Sequence, residues 1–430
     1  MRTLLLAFLL VPLISSMNGQ SSGEMRESFE EGLFFFNRGD YSEAVYYFKK
    51  LVESDPENAH FNFLLGESYM NMPGNESLAI PCFEKATLRT VAKSKYRSRD
   101  FDEINAPLHA WFYLGNVYRM DNKLEDALKA YDTFVKSPFY YGNYNVNIVE
   151  NEIKSCERAK IIFDSPVEVD EQLLDTLINS TAAELRPVTS RDGSNLVFLR
   201  RLKFYDAIMI TARNGDTWSQ PLNLNPLVGS DGDFYPVCLS DDGNELYLVK
   251  RNPDNSDIYV AYRADGIWSK AIPLNRHINS KADETSAGIS SDRQMLWFTS
   301  ARKGGSGGLD IYFSQRDAVG EWGRARNAGK VINTQFDEES PSPVNNGKAL
   351  FFSSKGHYSM GGYDIFYATQ QGKTWNDPVN IGYPVNNTTD NFGFVPLDDG
   401  ISGYYSRINI PGGTAEDIFR VTLKSMIQVP

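Results

Sequence analysis

Hydrophobic positions along the chain follow two different periods, one after the other. Residues 25–163 place apolar side chains at helical spacing in successive segments, whereas from about residue 164 short alternating runs are bounded by Gly, Asn, Asp and Pro. The first pattern predicts paired helices and the second predicts short strands. The chain is therefore predicted to be an α + β multidomain protein, with one domain over 25–163 and another over 164–425.

Small and aromatic residues recur within the helical part at the spacing of a tetratricopeptide repeat. Gly32 and Gly66 are 34 residues apart, and Gly115 follows 49 residues later. The additional residues of the longer interval are expected within Arg89 to Pro107. These spacings predict an α-solenoid of three helix pairs, and the apolar stripe over 147–163 predicts a further helix suited to cap the stack.

A short phrase, Asp-Ile-Tyr or Asp-Ile-Phe, recurs through the strand-rich part. Its aspartates are 51 to 54 residues apart, and a Trp follows each of the first four copies after 11 or 12 residues. One all-β unit every 40–50 residues or so is typical of a propeller blade. We therefore predict a five-bladed β-propeller whose recurring residues are structural repeat markers: Asp257, Asp310, Asp364, Asp417, Trp218, Trp268, Trp322 and Trp375, with a degenerate copy at Asp206.

A second marker indicates how the ring closes. An apolar residue and an Asn precede the blades at Asn179, Asn279, Asn333 and Asn386, whereas Val228 occupies the corresponding place before blade two. The Asn179 copy comes before any complete blade, and the copy at Asp417 is not followed by a Trp strand. We therefore expect residues 164–170 to supply the outer strand of the last blade, which removes exposed sheet edges.

The N-terminus predicts export. Arg2 precedes an apolar run from Leu4 to Ile14 and then small and polar residues, the layout of a signal peptide over residues 1–20. The run is too short to span a membrane, and no Cys stands near the expected cleavage site to carry a lipid anchor. The expected location is periplasmic, either soluble or peripheral to the outer membrane.

The composition of the chain limits which ligands and catalytic groups we expect. A net charge of −12 argues against a nucleic-acid partner, and three cysteines form no disulfide framework. Four scattered histidines leave little material for a zinc site or a histidine base. Ser306 lies in a formal GxSxG match, but without the strand-to-helix turn of a hydrolase, so no catalytic residue and no cofactor are assigned.

Acidic or amide residues begin the predicted innermost strands of the blades and are expected to gather around one mouth of the central channel: Glu184, Asp233, Glu284, Glu338 and Asn391. Three interpretations stay open. They bond to backbone N–H groups between blades, they hold a cation or another ligand, or two of them act as glycosidase carboxylates. The sequence leaves open whether these residues bind a metal ion. Variable loops at 253–256, 303–308, 357–362 and 411–415 are expected to carry specificity.

The signal peptide, the helical repeats and the Asp-Ile-Tyr, Trp and Ile-Asn markers together resemble a Bacteroidetes envelope family. These are the PorE-like, TolB-like (WD-repeat-like) propeller proteins of the type IX secretion and gliding machinery, and the resemblance covers nearly all of residues 25–425. Family members also carry a lipidated Cys and an OmpA-like peptidoglycan-binding domain, for which this sequence shows no match. The resemblance therefore implies peptidoglycan contact only indirectly, if at all.

Two functions remain open from the sequence. The leading hypothesis is a non-catalytic periplasmic scaffold that holds envelope proteins through the helical groove and a propeller face, as an accessory of type IX secretion. The alternative is an exported glycan- or peptide-binding protein, or a glycosidase-like enzyme, that uses the channel mouth. The partners and the oligomeric state are left open.

Overall fold

The computed structural model describes residues 14–252, 254–408 and 415–424, with side chains from residue 23 onward. Most of the predicted signal peptide and the loop residues 253 and 411–414 lie outside that part. The chain divides into two compact units, Met1–Tyr118 with Glu125–Asn145, and Arg119–Leu124 with Val146–Pro430. The helix predicted over 147–163 thus groups with the second unit rather than with the helical repeats.

The first unit is a helical repeat. Its helices are α1 (Ile14–Asn37), α2 (Tyr41–Ser54), α3 (Ala59–Met70), α4 (Glu76–Thr87), α5 (Ala110–Met120) and α6 (Leu124–Lys136). Between α4 and α5 the chain forms a short parallel pair, β1 (Thr90–Val91) and β2 (Ala106–Pro107), with a 3-10 turn at Lys93–Lys95. The additional residues therefore lie where the repeat spacing predicted them.

Three glycines let the helices of each pair approach closely. A Cβ added at Gly32, Gly66 or Gly115 would lie 2.5, 3.0 or 2.3 Å from the ring of Phe48, Phe83 or Tyr131, respectively. Each glycine thus makes room for the aromatic ring of the partner helix, which confirms the predicted role of this spacing. Side chains of Asp40 and Asn58 cap α2 and α3 by accepting from the backbone N–H groups of Glu43 and Phe61.

The second unit contains five antiparallel sheets arranged as the blades of a propeller. Blade one has β4 (Ala183–Thr189), β5 (Asn195–Arg201), β6 (Asp206–Asn214), β7 (Thr217–Trp218) and β8 (Leu222–Asn223). Blade two has β9 (Phe234–Leu239), β10 (Glu245–Arg251), β11 (Ser256–Ala264), β12 (Ile267–Trp268) and β13 (Ile272–Pro273). Helix α7 (Val146–Phe163) precedes the blades, and α8 (Asn225–Val228) lies between blades one and two.

The remaining blades repeat this order. Blade three has β14 (Glu284–Ile289), β15 (Met295–Ser300), β16 (Asp310–Gln315) and β17 (Arg326–Asn327). Blade four has β18 (Glu338–Val344), β19 (Ala349–Ser354), β20 (Asp364–Gln371), β21 (Thr374–Trp375) and β22 (Val379–Asn380), with a 3-10 turn at Asn345–Gly347. Blade five has β23 (Val395–Pro396), β24 (Ser402–Ile408) and β25 (Glu416–Leu423). The predicted five-bladed propeller after a helical repeat is confirmed.

An N-terminal strand completes blade five. Strand β3 (Val169–Leu173) pairs antiparallel with β25, from Phe419 opposite Leu173 to Leu423 opposite Val169. The sequence predicted this outer strand at about 164–170, and the observed strand overlaps the end of that range and continues to Leu173. Glu171 of β3 also accepts hydrogen bonds from Tyr405 and Arg407 of β24. The two ends of the propeller sequence are thus joined in one sheet.

The Asn marker recurs at the same place in the repeat because its side chain binds the backbone of the Asp-Ile strand. Asn333 Oδ1 accepts from Ile311 N (2.8 Å) and its Nδ2 donates to Ile311 O (2.9 Å), so one buried amide satisfies both backbone groups of the Ile in the Asp-Ile phrase. Asn279, Asn386 and Asn179 do the same for Ile258, Ile365 and Ile418. The last pair joins residues 239 positions apart and so helps to close the ring.

In blade one Asn225 makes similar hydrogen bonds, although the sequence pattern did not identify it. Asn225, three residues before Val228, accepts from Ile208 N (2.8 Å) and donates to Asp206 O (2.9 Å). It stands at the start of α8, whose single turn displaces it from the expected position. A local insertion of helix therefore hid the marker without removing it.

Helix α7 packs within the second unit. Asn151 Nδ2 donates to Lys355 O (2.8 Å), and the Arg158 guanidinium lies over the Tyr358 ring at 5.1 Å. Within the residues that the structure describes, no helix combines the length and apolar character needed to cross a bilayer.

Candidate functional site

The repeated acids are bound into the blade entries. Glu284 is fully buried; its carboxylate accepts from Ser280 N (2.8 Å) and Ser280 Oγ (2.8 Å), and also from Ser300 Oγ (2.6 Å) and Arg302 Nη2 (3.2 Å). Each bond goes to the acid's own blade entry or to its second strand. The carboxylate therefore fixes the loop that leads into the innermost strand.

Glu184 and Glu338 repeat this arrangement. Both are fully buried and accept from the backbone N–H and the hydroxyl of the residue four positions earlier, Ser180 or Thr334, at 2.6–3.0 Å. Arg200 also donates to Glu184 (2.7 Å) and Ser354 to Glu338 (2.9 Å). Burial raises the pKa of Glu338 to about 7, although its hydrogen bonds act in the opposite direction.

The two departures from Glu show what the position requires. Asn391 Oδ1 accepts from Asn387 N at 2.8 Å, so an uncharged amide performs the same task. In blade two the register differs from the prediction: Phe234 pairs with Lys250 where Glu284 pairs with Ser300, so Phe234 takes the place of the acid. Asp233 stands one residue earlier, accepts from Asp231 N (3.3 Å) and pairs with Lys250 (3.2 Å). Where a Glu or Asn is present it acts as a hydrogen-bond acceptor for its own blade entry, and this supports the structural interpretation.

The same residues do not build a metal centre. Among the described residues, no group of three or more His, Cys, Asp or Glu side chains is arranged to hold a metal ion. None of the five predicted channel-mouth positions lines the cavity of about 230 Å³ at the centre of the propeller, although Leu185 and Phe392, which follow two of them, do. The cation and ligand interpretations of these five residues thus gain no support from the geometry.

The other repeat markers also have structural contacts. Asp310 accepts from the backbone of Ser306 (2.6 Å) and Gly307 (3.1 Å), so the GxSxG match is a turn held by that aspartate. Asp364 accepts from Met360 N (2.7 Å) and Asn380 Nδ2 (2.7 Å), and burial raises its pKa to about 7. Asp257 accepts from the side chain of Asn255 (3.2 Å), and Asp417 lies opposite Arg407 in the last sheet.

The recurring tryptophans lie against the blades. Trp218, Trp268 and Trp322 are buried members of hydrophobic clusters. Trp375 is partly buried and meets the Trp297 ring edge-on at 5.7 Å. This arrangement is packing, as expected of residues that recur at a fixed phase.

Residues that do not recur form a cavity at the centre of the propeller. The cavity has a volume of about 230 Å³ and is lined from all five blades. Three exposed arginines face it, Arg186, Arg201 and Arg251, together with apolar side chains such as Leu185, Val188 and Val237. The cavity combines cationic groups with an apolar wall, which is suited to an anion that carries an apolar group.

One aromatic ring organises two of these arginines. The guanidinium of Arg186 lies 4.3 Å from the centre of the Tyr235 ring, and that of Arg251 lies 5.0 Å from it. Tyr235 is buried and donates its hydroxyl hydrogen to Thr285 O at 3.1 Å. Cation–π contact with a fixed ring restrains both arginines while leaving their N–H edges available.

Two carboxylates lie close to the arginines. Thr285 Oγ1 donates to Glu339 (2.8 Å), and Ser406 Oγ donates to Glu416 (3.0 Å). Burial raises the pKa of both groups, and the positive charge of Arg186 opposes that rise in each case. Among the described residues three arginines and one acid, Glu416, line the cavity, so positive charge prevails there even with that carboxylate ionised.

The opposite end of the channel is closed by another arginine. Arg191 Nη2 donates to Pro343 O (2.6 Å), its Nη1 donates to Pro396 O (3.1 Å), and its Nε lies 3.6 Å from Asp241. One side chain thus links blade one to blades two, four and five. Beside it only a void of about 30 Å³ remains, the volume of about one water molecule. The central cavity is therefore blind.

Backbone irregularity places two residues at the cavity. Arg186 (φ +51°) and Ser340 (φ +54°) adopt the left-handed conformation, each at a register shift of its innermost strand. Left-handed non-glycine residues at bulges are costly and cluster at functional sites. Periodicity could not reveal these residues, although Arg201 and Arg251 follow equivalent second-strand positions and an alignment of blades would have shown a basic pair.

The helical unit has a different concave feature, and its own chain covers it. Phe101 of the 89–107 insertion packs against Phe29 of α1 (5.8 Å between ring centres) and Phe61 of α3 (5.9 Å). Arg26 lies over the Phe101 ring at 4.8 Å. The first helices of the pairs, which line the groove of such an array, are therefore covered by the insertion over α1 and α3.

Histidines at equivalent repeat positions bond tyrosine hydroxyls, and the tyrosine bonded to His60 belongs to the insertion. His60 Nδ1 hydrogen-bonds the Tyr96 hydroxyl (2.7 Å), and His109 Nδ1 hydrogen-bonds the Tyr144 hydroxyl (3.4 Å). Burial lowers the pKa of both histidines to about 4. Glu103 stabilises the insertion by accepting from the backbone of Arg97, Ile104 and Asn105, and these bonds lower its pKa to about 2 against the effect of burial.

Comparison with known proteins gives a family match within the helical unit. The sequence profile of the tetratricopeptide repeat family matches residues 29–86. The first tetratricopeptide repeat domain of Spaghetti (RPAP3), bound to an HSP90 peptide, is similar over 33% of this chain and 98% of that chain, at 20% identity and a TM-score of 0.25. No curated protein matches the chain.

Two similar solved structures match larger parts of the chain. TolB from Acinetobacter baumannii is similar over 57% of this chain, at 17% identity and a TM-score of 0.35, and the match spans 55% of the TolB chain. An α-L-arabinofuranosidase from Lactobacillus brevis is similar over 58% of this chain and 94% of that chain, at 12% identity and a TM-score of 0.39.

Proposed function

We propose that this protein is a non-catalytic scaffold of the bacterial cell envelope that binds partner proteins through its propeller. The observation that carries the proposal is the central cavity, whose distinctive side chains are arginines. Arginine stays protonated at any physiological pH, so it can bind and orient an anion but cannot serve as a proton-transferring base. The cavity is thus equipped for recognition.

The location and the pathway belong to the same proposal. The layout of residues 1–20 supports export to the periplasm, and the resemblance of the repeat markers to PorE-like proteins supports an accessory role in type IX secretion. In the helical unit the groove over α1 and α3 is covered by the insertion, so we assign partner binding in the first instance to the propeller.

Crosslinking in the native envelope tests the scaffold. Full-length protein carrying a photo-crosslinking residue at position 204, an exposed phenylalanine of blade one, should capture one or a few defined envelope proteins. The matched control carries the same group at position 319, an exposed valine of blade three. Absence of any reproducible partner from several exposed positions, or recovery of the protein in the cytoplasm, would contradict the proposal.

A glycosidase-like activity is the second candidate, and one observation favours it. Glu416 lines the central cavity, Glu339 directly precedes the lining residue Ser340, and the pKa of each is raised by burial. A pair of carboxylates with one raised pKa is what glycoside hydrolysis requires. Release of nitrophenol from aryl glycosides, lost on Glu416→Gln with the fold retained, would establish this activity and overturn the scaffold.

A further inference from the structure

The central cavity differs from an open propeller channel in a way that limits what can enter. Arg191 closes one end by binding carbonyl groups of blades four and five, so a chain cannot pass through. The remaining volume of about 230 Å³ is below the 300–1,000 Å³ or so of sites for drug-sized ligands. A small group, or the end of a longer chain, fits this space.

The charges at the entrance select an anion. Arg186 and Arg251 are restrained by the Tyr235 ring, and Arg201 is exposed beside them with Asp206 3.7 Å from its Nε. Within the described part of the chain, neither Arg186 nor Arg251 has a carboxylate within 4 Å. A guanidinium presents a planar fork of donors whose geometry matches a carboxylate.

The wall below the arginines carries apolar side chains beside four serines and Glu416. Leu185, Val188, Leu199, Val237, Ala287 and Val395 contribute to it from four of the five blades. An apolar wall behind a cationic rim favours a carboxylate that is attached directly to an aliphatic group. A sugar acid, with hydroxyl groups on every carbon, would place some of those hydroxyls against the apolar side chains, where they find no partner.

A strained backbone maintains the rim. Arg186 holds a left-handed conformation at a bulge, with Pro187 following it. The strain costs on the order of 1–3 kcal/mol, and glycine would avoid it. An arginine at this position is thus explained by what its side chain does rather than by what its backbone requires.

We propose that the propeller cavity binds the C-terminal carboxylate of a partner protein, with the last aliphatic side chain against the apolar wall and the carboxylate between Arg186 and Arg251. This inference rests on the proposed scaffold function and names the part of the partner that the scaffold recognises. The partner's C-terminus enters a preformed blind site, so little ordering of this protein is required.

Binding of short acids to the full-length protein tests the site. The probe is N-acetyl-Ala-Leu with a free carboxylate, and its matched control is the same dipeptide with a C-terminal amide. We expect the acid to bind at least ten times more tightly than the amide, measured by calorimetry at low ionic strength, and to weaken as salt is raised. Equal binding of acid and amide, or no binding of the acid, would overturn the inference.

Variants locate the site on the propeller. Arg186→Ala and Arg251→Ala should each weaken the acid at least ten-fold, and Arg251→Lys should restore only part of the loss because ammonium lacks the fork. Arg263→Ala is the control, since Arg263 lies over Trp268 at 6.0 Å, outside the cavity. Wild-type affinity in both cavity variants would overturn the assignment.

Other anions test whether the site prefers the carboxylate of a peptide. Glucuronate and inorganic phosphate are offered in place of the dipeptide; affinity of either equal to that of the peptide acid would overturn the choice of a polypeptide end. These outcomes distinguish failure of the carboxylate site from failure of the proposed scaffold function. If partners are crosslinked but no acid binds, the scaffold stands without this site, whereas binding of the acid with no captured partner contradicts the scaffold itself.

Discussion

The helical unit and the propeller each have a concave centre, and they treat it in opposite ways. In the helical unit Phe101 and Tyr96 of the insertion cover the first helices, and the Tyr96 hydroxyl bonds His60 beneath it. In the propeller the centre keeps a cavity of about 230 Å³ rimmed by exposed arginines. One concave surface is filled by its own chain and the other is left available.

The difference shows where to look for function in a protein made of repeats. The residues that recur, such as Glu284 and Asn333, form hydrogen bonds with the backbone of their own blade. The residues that do not recur are of two kinds: aromatic residues that complete packing in the insertion, and charged residues that face the cavity. Repetition thus marks what the fold needs.

The largest expected effect is on the repeated acids. Glu284→Ala removes the acceptor of Ser280, Ser300 and Arg302 in a fully buried place, and leaves the arginine without its carboxylate. Breaking such a buried pair costs about 3–5 kcal/mol, so the free energy of unfolding of the propeller should fall by that amount in urea denaturation.

Two variants serve as controls for Glu284. Glu284→Gln keeps one acceptor oxygen and should lose less stability, while Asp216→Ala removes a fully exposed carboxylate and should leave stability unchanged. A loss below about 1 kcal/mol in Glu284→Ala would show that the acid is not a structural group, since even one unsatisfied buried partner costs that much.

The cover of the helical groove should respond to pH. Burial lowers the pKa of His60 to about 4, so between pH 6.5 and 4 the unfolded chain binds a proton that the folded chain does not. The free energy of unfolding therefore decreases as pH falls through this range, by up to about 3 kcal/mol at 1.36 kcal/mol per pKa unit.

Comparison of variants isolates this contribution. Burial raises the pKa of Glu67 to about 7, which acts with opposite sign, but it does so in wild type and variant alike. His60→Gln should therefore lose less stability than wild type between pH 6.5 and 4 in denaturation curves. His277→Gln, at an exposed histidine, is the control, and identical pH slopes in wild type and His60→Gln would refute the role of burial.

Removal of an aromatic ring from the cover should have a smaller effect. Phe101 is only partly buried, so Phe101→Ala should cost about 2 kcal/mol, less than the 3–5 kcal/mol of a fully buried Phe. Hydrogen exchange over residues 93–107 should also become faster. Phe34→Ala, at a ring that is 52% exposed in the same unit, is the control; unchanged exchange in Phe101→Ala would show that the ring does not hold the insertion.

The sequence predicted what repeats and missed what does not. The spacing of Asp257, Asp310 and their equivalents was sufficient for the number of blades, since each copy enters the same sheet position. The role of Asn225 was not predicted because one turn of helix shifted it. Arg186 was not predicted because a single residue has no period, and Arg201 and Arg251 were not predicted because a basic pair in two blades is not a marker of the whole ring. The placement of the insertion over α1 and α3 depends on long-range ring contacts, which local spacing does not encode.

The smallest stability effect is expected at the cavity rim, where it separates function from structure most sharply. Arg186→Gly relieves a left-handed conformation but loses the contact with Tyr235, which is worth about 0.5–1 kcal/mol, so stability should stay within about 1 kcal/mol of wild type while binding of N-acetyl-Ala-Leu falls at least ten-fold. Asn345→Gly makes the same backbone change (φ +52°) at an exposed turn outside the cavity without removing charge, and should keep both stability and binding. A loss of more than about 2 kcal/mol in Arg186→Gly would place Arg186 among the structural residues, because side chains outside the packed core rarely contribute that much, and the contrast between a filled groove and an available cavity would then no longer hold.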